Sequence, residues 1–254
     1  MVQARVTGRD LEVDGAFNVR DVGGLATASG AVVRRGMLYR SGDLNRLTEA
    51  GIEQLRTLGV ATVVDLRTTS EVERRGRYPF EQHGIAYRHG PLVDSRDAEP
   101  EAMPADPPAD ILLRLSRRIV DEGGSNVGRV LTWLGDEVEL PAVVHCVAGK
   151  DRTGLVIGVL LSVLDVPDED VAADYALSEA GLAAMVRWAA QHDPAQAAWL
   201  ERLPPQLLEA KPATMMQLMD WLRNRHGSIA GFLHSIGAGP PTVEGLRSRL
   251  LTTH

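Results

Sequence analysis

A single cysteine, Cys146, stands six residues before an arginine, Arg152, and a threonine, Thr153, follows at once. Side chains of these types at this spacing suit attack on phosphorus. The thiolate is the nucleophile, and a cysteine at a helix N-terminus beside cationic groups has its pKa lowered to roughly 3.5–7.5. An arginine brought back over the loop would bind two phosphoryl oxygens with its planar fork and follow them into the transition state. The Thr153 hydroxyl can be offered to the sulfur. The leaving group then needs a proton, and the cysteinyl-phosphate needs an activated water, two tasks that one carboxyl group can serve.

The elements that must position these groups are legible around them. The apolar run Ala142 to Val144 ends at His145-Cys146, a turn follows, and a second apolar run, Leu155 to Leu164, starts just after Thr153-Gly154. Strand, loop, helix is the reading. Successive amides of a tight loop and the positive end of a helix together make an anion site, so the backbone of Val147, Ala148, Gly149, Lys150 and Asp151 is the expected phosphate cradle. The Cys-to-Arg spacing alone is weak, because only Lys150 and Lys211 among the 27 basic residues are lysines and arginine is common everywhere. The conjunction carries the reading against its bland alternative, an inert cysteine buried between a strand and a helix.

The stretch HCVAGKDRTG resembles the signature loop of the Cys-dependent protein tyrosine phosphatases. Lys150-Asp151 within it resembles the atypical bacterial branch, which has tyrosine or dual-specificity and phosphoinositide phosphatase activity. Three N-terminal stretches agree with that branch, in its order: Asn18 to Gly24, Leu38 to Leu44 and Val63 to Arg67. Val19 departs from it, standing where the family usually carries Phe. The resemblance implies a phosphotyrosine protein or phosphoinositide as substrate, and a helical lid over the site.

The acid is less determined. Asp65 falls near the C-terminal end of an expected buried strand, Val60 to Leu66, at the edge where open α/β sheets collect ligands. It is the first candidate, its alternative role being to cap or orient the loop. Asp94 is the rival, at the start of an acidic, proline-rich stretch (94–110) that reads as a mobile loop. Asp151 is the third, in a place that suits orienting water or bracing the loop. Arg67 and Glu71, spaced i, i+4, read as a brace outside the site. Arg20 and Asp21 read as a brace near the phosphate loop.

Elsewhere, Ala31 to Val33 reads as a strand. Thr48 reads as the N-cap of a helix running to Gly59. Helices are expected over about 110–121 and 126–134, from Pro167, over Ser178 to about His192, along the buried stripe Met215, Leu218, Met219, Leu222, and twice in the tail. Residues 178–211 exceed what a minimal phosphatase needs, so they form either the lid or ordinary core. The expected fold is one three-layer α/β domain over 1–254, with a sheet of about four or five mostly parallel strands around the one leading to Cys146.

Composition bounds the rest. A net charge of −7 argues against a general nucleic-acid binder. No apolar run approaches the roughly 20 residues of a membrane span, and neither metal-ligand spacing nor a cofactor motif occurs, so none is expected. One cysteine and no secretory signal point to the cytoplasm, with export by another route left open. Two functional classes stand: an active phosphomonoesterase, or a phosphate-binding scaffold that kept the loop and lost turnover. The complete set Cys146, Arg152, Thr153 favours the first. Phosphotyrosine protein, phosphoinositide and small phosphorylated metabolites are not separable by sequence.

Overall fold

The computed structural model describes residues 6–93 and 110–252. Seven strands form one sheet. Three are two-residue pairs: β1 (Val6–Thr7), β2 (Asp10–Leu11) and β3 (Arg20–Asp21). Four are longer: β4 (Leu38–Ser41), β5 (Thr62–Asp65), β6 (Ala86–His89) and β7 (Ala142–His145). The order is β1-β2-β3-β4-β7-β5-β6. The four long strands are mutually parallel, as expected, with β7 between β4 and β5. The short ones extend the sheet antiparallel, beyond the four or five strands expected, because two residues are too few to show alternation.

The central strands β4, β7 and β5 are buried along their whole length because both faces are covered, whereas the edge strand β6 is partly exposed. Leu38, Val64, Ala142 and Val144 face the larger core, while Tyr39, Val63 and Val143 face a second one. The second is closed by α1 (Glu49–Thr57), whose Ile52 and Leu55 are buried and whose N-cap is Thr48, accepting from the Gly51 amide. Against the larger core lie α3 (Ile111–Thr132), α4 (Asp151–Val163), α5 (Asp168–Ala176), α8 (Pro212–His226), α9 (Ile229–Ser235) and α10 (Pro240–Leu250). The layers are therefore helix, sheet, helices. Met215, Leu218, Met219 and Leu222 of α8 are core residues, and Gly227 ends that helix at φ +78°.

Two local expectations need correction. The helices expected over 110–121 and 126–134 are one, because the intervening glycines are points of close approach and not breaks. A Cβ on Gly123 would lie 1.9 Å from the Leu92 carbonyl oxygen and one on Gly124 3.0 Å from Ile236 Cγ2, and a turn later one on Gly128 would lie 2.3 Å from the Ile236 carbonyl oxygen. Ala31 to Val33 is no strand but two isolated bridges, Ala26 to Val32 and Val33 to Leu251. This seam is reinforced on both sides. The Thr252 amide donates to Val32 O at 2.9 Å and the Arg34 amide to Leu250 O at 2.7 Å.

Helices α6 (Ser178–His192) and α7 (Pro194–Glu201) stand apart. Leu182, Met185, Ala189 and Leu200 make a small core of their own, packed on Phe17 and Ala148. Among the described residues, no helix is long and apolar enough to cross a membrane.

Candidate active site

Parallel register aligns the C-terminal ends of β4, β7 and β5, setting Ser41 and Asp65 on either side of His145. The chain leaves β7 there, turns through residues 146–150 and enters α4 at Asp151. The carbonyls of His145, Val147, Ala148 and Gly149 are engaged from outside the turn. Leu66 N donates to His145 O at 2.8 Å and Asp43 N to Val147 O at 2.9 Å. Asn18 Nδ2 donates to Ala148 O at 3.0 Å and to Gly149 O at 3.1 Å, and Arg40 Nη2 to Gly149 O at 2.8 Å. His145 Nδ1 lies 3.3 Å from Cys146 O, and Gly154 N donates to Lys150 O at 2.6 Å. In a trans peptide the N–H points opposite to the C=O, so carbonyls held outward turn the amides inward. Residue 149 must be glycine twice over: its φ is +67°, and a Cβ would lie 2.4 Å from Ser41 O.

Cys146 is buried at the mouth of α4, where the helix dipole favours negative charge. Arg152 lies on the first turn of α4 and is gripped from its far end. Its Nη1 donates to Glu71 Oε2 at 2.5 Å and its Nη2 to Oε1 at 2.9 Å. Glu71 is itself fixed as the third residue of α2 (Thr69–Arg75), in a capping box with Thr68. The pair leaves the Nε–Nη2 edge of the guanidinium for a ligand. Burial opposes the charge on Arg152, but the Cys146 sulfur and the Glu71 carboxylate outweigh it and raise its pKa. Thr153 Oγ1 is buried without a hydrogen bond to any described residue.

Asp65 does not fit the acid's role. Fully buried, it accepts from Arg67 Nη2 at 2.6 Å, from the Arg67 amide at 2.9 Å and from the Tyr87 hydroxyl at 2.8 Å. Burial pushes its pKa up, but His145 and Arg67 more than reverse that and hold the carboxyl well below the usual range. A group ionised at every working pH has no proton to give. The geometry matches the alternative role, a brace: Asp65 sits 3.6 Å from His145 Nε2, beside the nucleophile. Asp94 lies outside the described residues. Asp151 is partly exposed, with the Tyr175 hydroxyl 3.3 Å from its Oδ1.

Lys150 lends the loop its backbone, while its ammonium is directed elsewhere. Its side chain is buried, and Nζ donates to the carbonyls of Leu207 (2.6 Å) and Glu209 (3.0 Å) in the segment after α7. It is turned from the cradle and ties the loop to that segment. The expected Arg67–Glu71 brace does not form: Arg67 holds Asp65 and Asp43, and Glu71 holds Arg152. Arg20 is a brace near the loop, as expected. With Arg40 and Arg9 it surrounds the buried Asp174, whose carboxyl is held low against its burial, by Arg40 first. Burial, then Arg40, pull Arg20 down to about 10.

Cys146, Lys150, Asp151, Arg152 and Thr153 thus share one loop and helix start, with Asp65 behind it. Sequence reasoning missed Asn18, Arg40, Glu71 and Asp174. Glu71 left a local signal, the T-x-x-E capping box of α2, and Asn18 and Arg40 lie in two stretches that resemble the family's, which gave them no role. Among the described residues no three His, Cys, Asp or Glu gather to hold a metal ion.

Residues 11–252 match the profile of a family described as the tyrosine phosphatase family. The chain belongs to that family. It is a Cys-dependent phosphatase, and its substrate carries a phosphoryl group. The triple specificity protein phosphatase PtpB of Mycobacterium tuberculosis is 29% identical, covering 94% of this chain and 98% of its own. A tyrosine-protein phosphatase of Nostoc commune is 27% identical over 83% and 73% of the two chains. The solved Siw14 catalytic core aligns with a TM-score of 0.41 at 16% identity, over 77% of this chain and 98% of that one.

Proposed function

We propose that this phosphatase acts on phosphotyrosine in proteins, with Cys146 as nucleophile, Arg152 and the amides of Val147 to Asp151 as phosphoryl ligands, and Asp151 as general acid and base. The observation that carries the reading is the loop itself: a buried cysteine at the mouth of α4, with Arg152 held so that one edge of its fork stays free. Sγ attacks phosphorus as the bond to the tyrosyl oxygen breaks, and the departing phenoxide takes the Asp151 proton. Water then attacks the cysteinyl-phosphate, Asp151 takes its proton, and phosphate leaves with the sulfur restored. Asp151 is favoured because arginines hold the other nearby carboxylates, Asp43, Asp65 and Glu71, in hydrogen-bonded pairs, whereas its own cationic neighbour, Lys150 Nζ, stands 3.5 Å from Oδ1 and donates to backbone carbonyls instead.

A leaving group that needs no proton is insensitive to loss of the acid. Asp151→Asn is therefore expected to slow phosphotyrosine peptide by about 10²-fold or more, the usual share of acid catalysis, and an activated aryl phosphate far less. If Asp94→Asn shows that selectivity and Asp151→Asn does not, the acid lies in the 94–110 stretch.

The relative named for triple specificity favours a wider substrate range, with phosphoinositides as the second class. Lys150 gives that class no support, since its ammonium is spent on backbone carbonyls. Lys150→Ala should lower kcat/KM equally on a phosphopeptide and on a multiply phosphorylated inositol lipid; a loss confined to the lipid would return Lys150 to the pocket. We read 1–254 as one domain in which residues 178–211 lie over the loop as a lid. The separate small core of α6 and α7 supports that reading. A lone catalytic cysteine that must stay reduced favours a cytoplasmic site of action.

A further inference from the structure

We infer that Asn18 is a positioning residue for phosphoryl transfer: its carboxamide sets the direction of the loop amides that receive the phosphoryl oxygens. The inference rests on the phosphatase reading of the Cys146 loop. One nitrogen, Asn18 Nδ2, donates to two successive carbonyls of the cradle, Ala148 O at 3.0 Å and Gly149 O at 3.1 Å. The two N–H groups that follow those carbonyls, on Gly149 and Lys150, are thereby turned toward the centre of the loop. A cradle amide works when it is aimed beforehand at the place where charge develops, and aiming is what this contact supplies.

The rest of the residue's surroundings serve the same end. Asn18 has φ +58°, a left-handed backbone in which Asn is among the few tolerated non-glycine residues. Its Oδ1 accepts from Arg20 Nη1 at 2.5 Å, which fixes which end of the carboxamide faces the loop. Arg20 is fixed in turn by Asp174 O at 2.7 Å and Ser178 Oγ at 3.1 Å, where α5 meets α6. A Cβ on Gly181 of α6 would lie 2.5 Å from Asn18 Cβ, so α6 closes on this side chain through a glycine. The Asn18 carboxamide is bonded to the loop carbonyls and to Arg20, so its effect falls on the amides that receive the phosphoryl oxygens.

Asn18→Asp keeps the size, the tolerance of positive φ and the acceptor for Arg20, while it removes the donor. One carboxylate oxygen, in the place of Nδ2, then faces two carbonyl oxygens. The expected result is a loss of about 10- to 100-fold in kcat/KM, the range set by leaving the Ala148 carbonyl unpaired, since Gly149 O keeps Arg40 Nη2 at 2.8 Å. The Ki of orthovanadate should rise by a similar factor. The loss should be equal for phosphotyrosine peptide and an activated aryl phosphate, unlike that of Asp151→Asn. Asn18→Gly, which keeps the backbone conformation and deletes the carboxamide, should show the same pattern if Asn18→Asp folds poorly.

Folded protein of either variant, its concentration set by active-site titration, with a vanadate Ki within twofold of wild type would overturn the assignment and leave Asn18 a packing residue. A loss confined to the unactivated leaving group would overturn it too, by placing Asn18 with the acid. Wild-type enzyme that vanadate does not inhibit, or Cys146→Ser with retained turnover, would bring down the phosphatase reading of the loop and this inference with it.

Discussion

Arg152 shows how one side chain is divided between two tasks. Its Nη1–Nη2 end is committed to Glu71, so its other edge meets the ligand in a fixed plane. Glu71→Gln should leave the arginine charged but loosely aimed. Misplacement by about 1 Å can cost 10²-fold, so kcat on an aryl phosphate is expected to fall by about 10- to 100-fold. Unaltered kcat would show that Arg152 needs no such grip. Cys146→Ser should abolish turnover while vanadate still binds, and Arg152→Ala should lose both. Chelators should change nothing. Cys146 also has no second cysteine to pair with, so peroxide should inactivate the enzyme with only partial recovery by thiol. Intact-mass and peptide spectra of the inactivated enzyme should place the added oxygen on Cys146. What was legible at this scale follows from sequence distance. Cys146 to Thr153 are neighbours in one loop. Asn18, Arg40 and Asp174 meet the loop or each other across more than a hundred residues, and nothing local tells what Asn18 and Arg40 hold or marks Asp174 at all.

At the scale of elements, the sequence is most readable where a segment must be apolar throughout or begin with a cap. Strand β7, helix α4 and the Thr48 cap of α1 are of that kind, and each falls close to where the pattern puts it. Glycines mislead, because the same residue that ends a helix also permits close packing inside one, as Gly123 and Gly128 do in α3. The loop glycine can be tested directly. Gly149→Ala would place a methyl on Ser41 O with an unfavourable backbone, so it should lower the melting temperature and remove most activity. A variant with wild-type turnover would mean that the loop relaxes freely. Lys150 belongs to this scale as well, since its bonds to Leu207 and Glu209 join two elements and carry no sequence signature.

Across the whole molecule, the buried carboxylates set the response to acid. The carboxyls of Asp65, Glu71 and Asp174 are each held below their ordinary values of 3.8, 4.5 and 3.8 by cationic partners that outweigh burial. A carboxylate of lowered folded pKa contributes stability that is fully present above its unfolded pKa and is lost as pH falls through the folded one. Unfolding free energy should therefore be flat from pH 7 down to about pH 5 as far as these groups are concerned, then decline steadily below it. Asp174→Asn should be destabilised at pH 7 and show a shallower acid limb in urea unfolding. An acid limb as steep as wild type would remove Asp174 from the account. The three-layer order and the parallel centre were readable from βα alternation. The antiparallel flank was not, because its strands are fixed by partners and not by their own pattern.

The seam between residues 32–34 and 250–252 has a consequence for the protein as it is made. Val32 and Thr252 exchange hydrogen bonds across 220 positions of sequence. At about 5–20 residues per second of synthesis, roughly 10–40 s separate the appearance of the two halves. In that interval the turn at 26–33 closes on itself and gains Asp165 O for its Ala28 amide, and β4 gains its parallel neighbour β7, all before residues 250–252 exist. The strands that wall the phosphate loop can therefore pair while the chain is still being made, and the seam, which lies outside those strands, is among the last contacts to close.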